Sequence, residues 1–168
     1  MDTNTFTKGV SDQDWARAAK LANITPQQLK TRYEAAVAQH PLNLRKVTVT
    51  RGEAVKSGDA IRKDFDISLF DIVGLKGYVE FQGSSSSDWT ATFHICLELA
   101  GVSVWCTDET LSPTNAQICY HPDAGGAKAD LCLAIQGTNH CFNVSGDACY
   151  WAFGWHCGDF NETLFCFG

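Results

Sequence analysis

The sequence predicts a mainly β protein, an antiparallel β-sandwich or barrel built from hairpins and preceded by an N-terminal helical hairpin. Three observations carry that expectation. First, the pattern Cys-x-x-x-x-Gly occurs as CLELAG at 96–101, CLAIQG at 132–137 and CYWAFG at 149–154, with a further cysteine after each at 106, 141 and 157. A glycine between two cysteines, in segments otherwise rich in Leu, Ile, Val and aromatic residues, is the pattern of a hairpin with one cysteine on each arm. Second, short strand-like runs separated by turn residues recur about every ten residues through the second half. Third, no helical crossover of the kind parallel strands require lies between them.

The elements follow in order. Residues 1–10 carry no periodic signal and are expected to be a flexible tail. Ser11 with Asp14 forms an N-cap, and Trp15, Ala18, Ala19 and Ala22 then share one helical face, which predicts a helix over 12–22. Thr25-Pro26-Gln27-Gln28 repeats the device, and Leu29, Tyr33, Ala36 and Val37 give the stripe of a second helix from 26 to about 39. His40-Pro41 stops it, which sets the helical hairpin at 11–41. This hairpin is expected to cover one face or edge of a sheet.

From Leu42 the period switches to two, which opens a Cys-rich antiparallel β domain over 42–168. Arg51-Gly52-Glu53 and Ser57-Gly58-Asp59 read as turns. Residues 65–73, FDISLFDIV, are apolar on both faces, as a central strand would be. Gly83 and the serines at 84–87 read as a small loop. Further strands are expected at 89–99, 102–108, 115–120, 129–135, 139–144, 148–152 and 162–167.

All eight cysteines lie between Cys96 and Cys166, the density of a disulfide scaffold. Spacing suggests partners. Cys132 and Cys141 suit a two-residue loop at Gln136-Gly137, and Cys149 and Cys157 suit a three-residue loop, Ala152-Phe153-Gly154. Cys96 and Cys106 enclose an odd number of residues around Gly101, so a slip there is equally compatible. Cys119 and Cys166 are then left to staple the last strand to an earlier one. Eight cysteines admit about 105 connectivities, so the assignment is a geometric preference.

Of the 13 Lys and Arg residues, all but Lys128 precede residue 87, while Asp and Glu number ten before that point and nine after it. The first part therefore carries 12 − 10 = +2 and the second 1 − 9 = −8, which sum to the net charge of −6. Acid concentrated on the β-rich half argues against nucleic acid as a partner. The helical hairpin also lacks the basic stripe of a DNA reader. No run of about 18 apolar residues is present, so no transmembrane segment is expected. The cysteine density points to an extracellular or periplasmic location, although MDTNTFTKGVSDQD at the N-terminus lacks the basic and apolar parts of a signal peptide.

For function, the aromatic residues carry the strongest signal. Trp151, Phe153 and Trp155 surround the tip of the third hairpin with His156 beside them, near Asp159 and Glu162, and such a group of rings suits a carbohydrate or a protein partner. The expectation is a non-enzymatic extracellular binding protein without a cofactor. An alternative starts from His94 with Cys96 and Cys119 with His121. Residues i and i+2 share a strand face, so these four would supply a two-Cys, two-His metal site, and Cys119, His121 and Asp123 would be the residues of a thiol enzyme. Gly125-Gly126 reads as a turn and not as a phosphate cradle. Asn23, Asn143 and Asn161 each open an N-glycosylation triplet, expected in loops.

Overall fold

The computed structural model describes residues 10–38, 47–53, 55–58, 60–69, 72–85, 87–124, 126–151 and 154–167. The expected tail lies outside them except for Val10, which packs on the core, and so does the His40-Pro41 stop.

Helix α1, Asp12–Ala22, starts where the Asp14 amide donates to Ser11 Oγ and stops at Asn23, whose left-handed φ of 58° lets the chain turn back. Helix α2, Pro26–Ala38, opens with a reciprocal cap: the Gln28 amide donates to Thr25 Oγ1 at 3.1 Å and the Thr25 amide to Gln28 Oε1 at 2.9 Å. Both helices bury the stripe that their spacing indicates, Trp15, Ala18 and Ala19 from the first and Leu29, Tyr33 and Val37 from the second.

Two antiparallel sheets follow. The first contains β1 (Val47–Arg51), β2 (Val55–Ser57), β3 (Ala60–Leu69), β4 (Val73–Ser85), β5 (Asp88–Leu99) and β6 (Val102–Leu111), in the order β1-β3-β4-β5-β6 with β2 also on β3. The second contains β7 (Gln117–Tyr120), β8 (Asp123–Ala124), β9 (Ala127–Gln136), β10 (Cys141–Trp151) and β11 (Trp155–Cys166), in the order β11-β10-β9-β7 with β8 also on β9. The two sheets share one core, in which Phe65 meets Phe142 with ring centroids 5.8 Å apart and Phe81 stacks on Phe167 at 4.7 Å. Alternation sorts the faces: Ala91, Phe93, Ile95 and Leu97 of β5 point inward, and Thr92 and His94 outward.

The open sides of the sandwich are closed differently. Helix α1 packs against β6 and β8, edge strands of the two sheets, and Arg32 of α2 donates to the Ala100 carbonyl in the turn before β6. At the opposite side Arg51 of β1 donates to the carbonyls of Leu164 and Thr163 and reaches Glu162, all on β11. Exposed sheet edges template aggregation, and both devices cover them.

Four boundaries differ from expectation. The run 65–73 is no single strand but spans the end of β3 and the start of β4, with Phe65 and Ile67 buried on one face. Strand β4 reaches Ser85, which pairs with Asp88, so Gly83, Ser84 and Ser85 belong to the strand and not to a loop. The expected strands 139–144 and 148–152 are one continuous strand, β10. Gly146 sits within the ladder at φ 134°, where a Cβ would meet the Asp130 carbonyl oxygen at 1.9 Å. Strand β11 starts at Trp155 and runs to Cys166, seven residues earlier than the expected start at 162, counting 162 − 155.

The bridges are Cys96–Cys106, Cys119–Cys132, Cys141–Cys166 and Cys149–Cys157, and no cysteine is free. Two of the expected pairings thus hold, and the other two are corrected. Cys132 does not pair with Cys141, because the turn between β9 and β10 spans four residues, 137–140, and sets Cys132 opposite Ser145. Cys141 then faces Cys166 across β11, and Cys132 faces Cys119 across β7. Each bridge joins directly opposite residues of adjacent strands, with Cα atoms 4.0–4.1 Å apart. Each also lies on the outward parity of its sheet, so the core itself contains no sulfur bridge.

Candidate functional site

The third hairpin, β10–β11, turns between Trp151 and Trp155, which are register partners. Cys149 and Cys157 are bridged one outward rung behind them, and this fixes the two arms next to the turn. Both indoles take the outward parity. They meet edge to face with centroids 5.3 Å apart and planes at 78°. Trp155 is 36% exposed, the one aromatic among the exposed large apolar side chains of the described residues, the others being Leu21 and Val55. Lys128 of β9 places its ammonium 4.3 Å from the Trp155 ring centroid, a cation–π contact that orients the indole.

His156 does not join this group. Its parity is opposite, and it stacks on buried Tyr150 at 5.4 Å and 22°. Phe153 lies outside the described residues. Of the four residues expected to bind a ligand, the structure brings Trp151 and Trp155 together on one face and puts His156 on the other.

The outward face of the second sheet continues from the indoles in polar rungs. Asp130, Asp147 and Asp159 stand directly opposite one another on β9, β10 and β11. His121 donates from Nδ1 to Asp130 at 2.7 Å, since a carboxylate only accepts. Beyond the Cys132, Ser145 and Asn161 rung, Asn143 donates from Nδ2 to Asn161 Oδ1 at 3.2 Å. Asn143 and Asn161 are thus strand residues and not loop residues. Like charges placed opposite each other on neighbouring strands weaken a sheet, so the aspartate row costs stability where it stands. The sequence contained the means to find this row: with Cys149 opposite Cys157, residues two positions out on each arm, Asp147 and Asp159, must also face each other.

The residues of the metal alternative are distributed over both sheets. His94 and Cys96 are on β5, while Cys119 is on β7 and His121 follows it. Cys119 and Cys96 are each in a disulfide, so neither sulfur offers a thiolate. Ligand-type atoms cluster within 4.8 Å at His94 with Cys96 and Cys106, and at Asp147 with Cys149 and Cys157, but in each group the two sulfurs are bonded to each other.

Among the described residues, no helix is long and apolar enough to cross a membrane. In comparisons with protein-family models, curated proteins and solved structures, nothing matches the chain.

Proposed function

We propose that this chain is a secreted, disulfide-stapled recognition protein that binds a glycan with the tip of its third hairpin. The observation that carries the reading is Trp155, a solvent-facing indole held in place by Trp151, Lys128 and the Cys149–Cys157 bridge. An exposed flat ring fixed before binding loses little side-chain entropy on complex formation, and its apolar face suits the C–H face of a pyranose. The neighbouring Asp147, Asp159 and Asn161 supply acceptors and amides for hydroxyl groups, the pairing of apolar surface with a few placed polar groups that a ligand site needs. Four bridges suit an oxidising compartment, which supports an extracellular setting.

A glycan panel followed by titration calorimetry and tryptophan fluorescence tests the reading. A bound glycan should shift indole emission, and Trp155→Ala should weaken binding about tenfold or more, since hot-spot aromatics contribute about 2 kcal/mol or more. Emission unchanged by every glycan, or equal affinity in Trp155→Ala, would overturn it. Capture of a protein through the same indole would replace the glycan while keeping the tip.

A further inference from the structure

The solvent face of the first sheet carries a second arrangement that the tip does not use. His94 donates from Nδ1 to Asp108 Oδ1 at 2.5 Å, its cross-strand partner on β6. Its other ring nitrogen, Nε2, lies 3.3 Å from Cys96 Sγ. Tyr78 stacks on the imidazole at 5.7 Å, and the Arg62 guanidinium lies 3.8 Å over the Tyr78 ring. The imidazole is thus fixed on one edge by a carboxylate and on one face by a ring, with its free nitrogen on a disulfide sulfur. By contrast, Cys119 Sγ accepts from the Gln117 side-chain amide at 3.7 Å, a group far too weakly acidic to give a proton to a leaving sulfur.

We propose that Cys96–Cys106 is a reactive disulfide, opened by an external thiol with His94 as proton donor to the leaving sulfur. The two sulfurs differ in access: Cys96 is 8% exposed beneath its neighbours, whereas Cys106 is exposed on edge strand β6. An incoming thiolate therefore attacks Cys106 Sγ. The new sulfur–sulfur bond forms there as the Cys96–Cys106 bond breaks, and the electron pair leaves on Cys96 Sγ, where the Nε2 proton of the His94 imidazolium neutralises it. The products are a mixed disulfide on Cys106, a thiol on Cys96 and a neutral His94. A second thiol then attacks the external sulfur of the mixed disulfide, releasing the oxidised thiol pair and leaving Cys106 reduced.

Leaving-group stabilisation and the choice of sulfur control such exchange, and both are set here by geometry. Exchange is in line, so the thiol approaches Cys106 Sγ from the side away from Cys96, where Cys106 is exposed. The reaction is stoichiometric chemistry on the chain itself, independent of the tip.

The test treats the folded, oxidised protein with reduced glutathione, quenches with iodoacetamide at intervals and maps the labelled cysteines by mass spectrometry. Cys96 and Cys106 should be modified first, with glutathione found on Cys106. His94→Gln should slow opening about tenfold or more while leaving the thermal melt unchanged, because general acid catalysis by a placed group is worth at least that. Asp108→Asn should move the pH profile of the rate, which a purely structural role would leave in place. Of the titratable groups around His94, Asp108 and Tyr78 touch it, and Arg62, Asp64, Lys76 and Glu98 line one cavity with it. Earlier opening of another bridge, glutathione on Cys96, or a rate indifferent to His94→Gln would each overturn the assignment.

Discussion

The amide of Trp151 donates to the carbonyl of Gly126 at 2.9 Å, which ties the third hairpin to the turn that enters β9. Gly126 is itself enclosed by the helical hairpin: a Cβ there would meet Trp15 Cη2 at 2.9 Å and Tyr33 Cζ at 3.2 Å. Trp15 and Tyr33, 5.3 Å apart between ring centroids, therefore seat the helices on the segment that holds Trp151.

Gly126→Ala is expected to push those rings outward. Overpacking of this kind costs about 1–3 kcal/mol, and it should appear as a lower melting temperature. Tryptophan emission should also broaden as the tip loosens. A variant as stable as the parent would show that the helices do not set the position of the turn.

Gly146→Ala is expected to be more damaging. The clash is with backbone, the Asp130 carbonyl, and the residue would also be held at a positive φ that L-residues rarely adopt. Misfolded protein or scrambled bridges on a non-reducing peptide map should result. Native mapping with an unchanged melt would show that β10 tolerates a side chain there.

Cys149–Cys157 and Cys141–Cys166 join the same two strands over sequence separations of 8 and 25. Loop-entropy arguments give about 2.6 kcal/mol for the shorter loop and about 3.5 kcal/mol for the longer. Replacing each pair by alanine should therefore destabilise in that order in urea titrations. Only the Cys149/Cys157 replacement should weaken the proposed glycan binding, because that bridge adjoins the indoles.

Burial pushes the pKa of Tyr33 upward, where the neighbouring Tyr150 adds to the effect, and also pushes those of Tyr120 and Tyr150 upward. In the unfolded chain these phenols ionise near pH 10, about the ordinary value. Below that pH their contribution to stability is complete. Above it the unfolded chain sheds protons that the folded chain keeps, so stability falls as pH rises. Tyrosinate absorbance from these residues should develop together with loss of the folded circular dichroism signal, and Tyr33→Phe should move the alkaline midpoint upward. Ionisation of all tyrosines in a still-folded protein would contradict this.

How much of the molecule was legible in its residues depends on how local each determinant is. The two helices, with their caps and stripes, and the β10–β11 hairpin are set by neighbours a few positions away. Cys149 and Cys157 around a three-residue turn fix register and face together. The β9–β10 turn departs from the two-residue loop that cysteine spacing suggests because its last residue, His140, adopts a φ of 49° without being glycine, and composition does not announce that. The odd spacing of Cys96 and Cys106 resolves through a bulge between Leu97 and Glu98, which also sets His94 opposite Asp108. Neither relation follows from residue types alone. The outward parity of Trp151 and Trp155 was within reach of the sequence, whereas the cation–π contact of Lys128 needed the position of a third strand.

Because every sulfur crosslink joins neighbouring strands of one sheet and none crosses to the other, heating can part the two leaves while β5 stays matched to β6, β7 to β9 and β10 to β11. Recovery on cooling then has to re-pair strands β1 through β4 and rejoin β9 to β10, and it starts from four rungs already in register.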